Sequence, residues 1–282
     1  MDAPNNESIM RPILASALVL SFAVAVPARA ETWRGTPTEP AVAATVEWLL
    51  LRALADALME RLDVAPSGEG AVSGIGFAST RLAARYDDAE AAARLADIAR
   101  ALQAVRGPDG PPPTEGDAFA VACIANGVDP EAGASLAAEG GFDPALYDSC
   151  GAAELDGQTE DWDVALSGVL LFEGEPPSDV PVSVEARGGD AEWLAETGLL
   201  EAFAEETAAT YAFVEPLPVA VRACGGPGVR HAAGEGISVC VETIDPIARA
   251  LLAAEGDTGP GDGATSEAGD EDAAGGDAPA GE

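Results

Sequence analysis

The sequence predicts an α+β fold: a helical N-terminal region, then a small β-sheet with flanking helices. Three observations predict it. Apolar residues recur at the i, i+3, i+4, i+7 spacing of a helix through residues 39–63 and run in helical fashion through 88–105. From residue 180 the period changes, and VPVSVEA (180–186), LPVAVRAC (217–224) and GISVCVE (236–242) read as strands. Hydrophobic residues make up 48% of the 282, enough for a core, but aromatics only 5%, so small side chains must build it.

The elements follow in order. Glu39 to Asp63 reads as a long helix, with Val46, Leu49, Leu50, Ala53, Leu54, Ala57 and Leu58 on one face. Residues 68–86 read as a weaker helix, because Gly68, Gly70, Gly74 and Gly76 each cost about 1 kcal/mol relative to Ala in a helix interior. Residues 88–105 form a clean helix with an Asp N-cap. Gly107-Pro108-Asp109-Gly110-Pro111-Pro112-Pro113 breaks the chain. Two or three helices are expected between 116 and 170, the first ending near Gly127 and the next opening at Asp129-Pro130. After the strand at 180–186, Asp190 to Phe213 reads as helical, the last two strands flank a Gly-rich turn, and residues 245–254 form a final helix. The regions are therefore 39–170, helical, and 178–254, β-α-β-β-α, with a seam at LLFEGEPPS (170–178) and no internal repeat.

Charge excludes whole function classes. The chain carries 49 Asp+Glu against 14 cations, all Arg, for a formal charge of -35. Phosphate backbones and anionic membrane surfaces repel such a chain, so no nucleic-acid partner is expected. One His rules out a zinc site with two or three His ligands in one chain. At the N-terminus, Arg11, the apolar run 13–26 and Ala28-Arg29-Ala30 have the order of a signal peptide over residues 1–30. The run is shorter than the roughly 20 residues a membrane span takes. Export to the periplasm or medium is expected, without stable membrane insertion after cleavage near Glu31; an uncleaved anchor is the alternative, and Met10 an alternative start. At the other end, Glu255 to Glu282 holds nine acidic residues and no aromatic or cation, which predicts a disordered, solubilising tail able at most to bind cations weakly.

Cys123, Cys150, Cys224 and Cys240 form an even set, which in an exported chain favours disulfides. Three connectivities exist; the two local pairs, Cys123–Cys150 and Cys224–Cys240, are expected, each worth roughly 3 kcal/mol on a chain-entropy estimate. A four-Cys zinc site is the alternative, disfavoured by the lack of any C-x-x-C pair.

Three blocks then carry a resemblance. They are LLLRALADALMERLDVAPSGEGAVSGIGFAS (49–79), FAVACIANGVDPEAGASLAAEGGFDPALYDSC (119–150) with Trp162 beyond, and LPVAVRACGGPGVRHAAGEGISVCVE (217–242). In this order, over about 41–253, the chain resembles a family of bacterial metallopeptidases of the HExGH type, mostly exported and catalogued only as a domain of unknown function. The resemblance implies a zincin-like helix pair in the first block. It also implies zinc as the cofactor, held by two His and a third ligand, with a Glu as general base. In this chain the helix positions are Arg52, Ala53 and Asp56, and the third-ligand segment falls on Ala71 and Ile75. Every implied ligand and the base are replaced, so no catalytic residue, metal or cofactor is assigned. Arg stays protonated and does not ligate. Arg52 and Asp56 lie one turn apart, so an ion pair between them is one expectation and a solvated surface pair the other. His231 falls in the turn between Cys224 and Cys240 and reads as a surface residue; Glu242 reads as the end of an edge strand. No G-x-S-x-G elbow, dinucleotide loop or EF-hand loop is visible.

Two functions are carried forward, with a third behind them. One is an exported, catalytically inactive metallopeptidase homologue that acts, if at all, by binding. The second is an active hydrolase of that family with an atypical carboxylate metal site. The third, resting on composition, is an acidic cation-binding export protein.

Overall fold

The structure is a computed structural model and describes residues 33–64, 74–106, 116–141, 150 and 152–257. The segment expected as a signal peptide, Gly68, Gly70 and Ala71 lie outside the described residues, as does the expected acidic tail save Glu255 to Asp257, which continue the last helix rather than open the tail. The helices are α1 (Thr38–Arg61), α2 (Gly74–Ala83), α3 (Asp88–Arg106), α4 (Asp117–Val128), α5 (Pro130–Gly140) and α6 (Ala152–Leu166). They precede β1 (Val182–Val184), α7 (Gly189–Glu196), α8 (Leu199–Thr210), β2 (Val219–Arg222), β3 (Val229–Ala232), β4 (Gly236–Cys240) and α9 (Ile244–Asp257). The fold class is α+β, as the sequence predicts.

α1 is the axis of the molecule. Val42, Val46, Trp48, Leu50, Leu51, Ala53, Leu54 and Leu58 are all buried, on more than one face, because α2, α3, α9 and strands β3 and β4 surround it. A helix that is apolar nearly all round must lie inside. Two contacts with α1 fix α2 beside it. The Trp48 indole N–H donates to Ser79 Oγ at 2.9 Å, with both groups buried. Gly74 lies so close that a Cβ there would meet the Arg52 carbonyl at 3.3 Å.

Local signals set the other boundaries. Asp87 Oδ1 accepts from the Glu90 N–H at the start of α3, and Asp129 Oδ1 accepts from Glu131 and Ala132 at the start of α5, whose first residue is Pro130. The helix expected over 190–213 is instead two helices. Gly198 breaks it at φ 69°, a left-handed conformation that Gly adopts without strain.

The sheet runs β1-β2-β4-β3; β1, β2 and β4 are parallel and β3 is antiparallel to β4. The segment expected as a Gly-rich turn contains a strand, β3, which pairs His231 with Ile237. β4 is an inner strand, and every one of its residues is buried. One hydrophobic cluster runs from α1 through the helices into β2 and β4. Among the described residues no helix is long and apolar enough to cross a membrane.

Candidate functional site

The positions that the resemblance singles out lie on α1 and α2, apart from Ala71, which is outside the described residues. Ala53 is 1% exposed, a core methyl with no donor atom. Arg52 is half-buried, and its Nη1 donates to Asp117 Oδ2 on α4 at 2.5 Å. Asp56, one turn later, is exposed and forms no ion pair with Arg52; the interhelical partner has taken the guanidinium instead. Burial by its neighbours still pushes the Asp56 carboxyl above its ordinary value, with Arg52 and His231 pulling the other way. Ile75 is half-buried on α2. One carboxylate, one paired guanidinium and one buried methyl do not fit a zinc centre at these positions.

The four cysteines form two disulfides, Cys123–Cys150 and Cys224–Cys240, with Cα separations of 5.2 and 5.3 Å. Among the described residues, one set of three metal-type donors falls within 4.8 Å of one another: Cys224, Cys240 and Glu242. Its two sulfurs are bonded together, so neither is a thiolate and the set is not a metal centre. Glu242 has a different use. It follows the inner strand β4, not an edge strand, and its carboxylate accepts from the N–H groups of Cys224, at 3.1 Å to each oxygen, and Gly225 at 2.9 Å. Its own N–H, then those two, hold its carboxyl below the ordinary range.

His231 departs furthest from its expected place. It is not a surface turn residue: it lies on β3, with a side chain only 2% exposed. Nε2 stands 3.1 Å from Glu60 Oε2 on α1. That is ion-pair distance, yet no hydrogen bond forms across it, and both ring nitrogens are buried without one. Position 231 is far from 60 in sequence. The signal that could have found it is the alternation of Val229 and His231 about Arg230, legible as a strand only once β4 is recognised as its partner.

No family model, no curated protein and no solved structure matches the chain.

Proposed function

We propose that the chain is an exported, non-catalytic homologue of the HExGH-type metallopeptidase family that acts, if at all, by binding. The observation that carries this is Ala53. Where the family's general base would stand, the side chain is a methyl packed in the core, and the neighbouring position is occupied by an Arg tied to α4. Proton abstraction needs a titratable group within reach of water, and position 53 supplies none. Export is supported by the two disulfides, which form and persist in oxidising compartments, and by the signal-like segment.

The test is peptide hydrolysis by the purified, oxidised chain with added zinc. No cleavage above the buffer rate is expected. Cleavage abolished by a chelator would establish the active-hydrolase alternative. N-terminal sequencing of the protein secreted by a bacterial host tests export, with a mature start near Glu31 expected.

A further inference from the structure

The single His of this chain has its side chain buried against the Glu60 carboxylate, and the proposed function makes no use of it. Asp56 and Glu60 are an i, i+4 pair on α1, and His231 reaches Glu60 from β3. The competing cations are engaged elsewhere: Arg52 with Asp117, and Arg61 with the Pro216 carbonyl at 2.7 Å. Buried polar groups nearly always find a hydrogen-bond partner, and a ring with neither nitrogen hydrogen-bonded asks for one.

We propose that Asp56, Glu60 and His231 form a site for a divalent transition-metal ion such as zinc. Two ligands held about 2.1 Å from one ion at tetrahedral or octahedral angles stand roughly 3.0–3.4 Å apart. His231 Nε2 and Glu60 Oε2 are 3.1 Å apart with no hydrogen bond between them, a separation that fits two ligands of one ion. The imidazole favours zinc-like ions over calcium or magnesium, while the carboxylates match the charge. Asp56 is exposed and comes in last, by turning its side chain, since it stands outside the 4.8 Å circle of a preformed donor set. Water completes the shell from the exposed side of Asp56 and Glu60. Both carboxylates serve as ligands, so the site holds an ion and ties α1 to β3; it goes beyond the proposed function and does not rest on the family resemblance.

One His in the chain makes the test specific. The full oxidised chain, 15N-labelled, is titrated with zinc chloride while the imidazole nitrogens are followed by NMR. One equivalent is expected to shift Nε2, and excess calcium to leave that shift in place. Glu60→Gln, at a half-exposed position, should weaken zinc binding at least about tenfold, as should His231→Asn if circular dichroism shows it folded. Ring resonances that stay put through several equivalents would overturn the site, because cations collected by the acidic surface do not touch His231. Zinc affinity unchanged in Glu60→Gln would overturn it too. These outcomes separate from the proposed function: without zinc binding the non-catalytic reading stands, whereas zinc binding with chelator-sensitive cleavage keeps the site and overturns that reading.

Discussion

Ala53 and Glu39, both on α1, show how differently one helix treats its residues. Ala53→Glu, which would place a Glu where the proposed family carries its base, would force a carboxylate into a position 1% exposed, beside Leu50 and Leu54. Burying an unpaired charge is far costlier than overpacking alone, which is about 1–3 kcal/mol. The variant should lose at least about 3 kcal/mol in urea unfolding and gain no peptidase activity. Glu39 is the opposite case. Its carboxylate accepts from the Gly35 N–H at 2.6 Å and the Trp193 indole N–H at 2.7 Å, joining the start of α1 to α7. The Gly35 bond, then Trp193, then Arg34 hold its carboxyl below the ordinary 4.5 against the opposing effect of burial. The folded value lies below the unfolded one, so the stabilisation is present above the unfolded value and fades as pH falls through the folded one. Glu39→Gln should cost about 1 kcal/mol at pH 7. The gap between variant and wild type, followed by urea unfolding, should narrow as pH falls below the ordinary 4.5.

At the scale of the elements, the helices are legible because their signals are local. Asp129-Pro130 marks the start of α5 in the sequence alone, and the Asp129 carboxylate does cap that helix. Asp129→Ala should therefore cost about 1 kcal/mol, whereas Asp129→Ser should cost little, as read from thermal unfolding. The break at Gly198 is harder to see because Trp193, Leu200, Phe203 and Ala204 keep the spacing of a single helix across it; Thr197 and the left-handed Gly198 separate α7 from α8. β3 is hidden for another reason. Val229–Ala232 is short and Gly-flanked, and its pairing with β4 is a non-local fact. The candidate site divides the same way. The residue types at 52, 53 and 56 are plain from the sequence, but the partners that occupy Arg52 and face Glu60 come from α4 and β3, which no local spacing reveals.

For the whole molecule, cross-links and charge act in opposite directions. The disulfides link residues 27 and 16 apart and should each contribute about 3 kcal/mol by restricting the unfolded chain. Reduction under native conditions should lower the guanidinium midpoint more than any single surface variant does. Against them stands a net charge of -35, which favours the expanded chain through self-repulsion. Salt tests which electrostatic effect dominates. Exposed ion pairs such as Arg81–Asp163 and Arg94–Glu90 are worth under about 1 kcal/mol each and weaken with salt. Repulsion among 49 acids also weakens, as the screening length falls from about 30 Å at 0.01 M to about 8 Å at 0.15 M. With acids far outnumbering arginines, repulsion is the larger quantity, so the melting temperature should rise between about 0.01 and 0.15 M sodium chloride. Each 1 kcal/mol of relieved repulsion should appear as about 2–4 °C in a chain of this size. A melting temperature that falls over that range would mean that the arginine pairs, fewer but better placed, govern the fold's electrostatics.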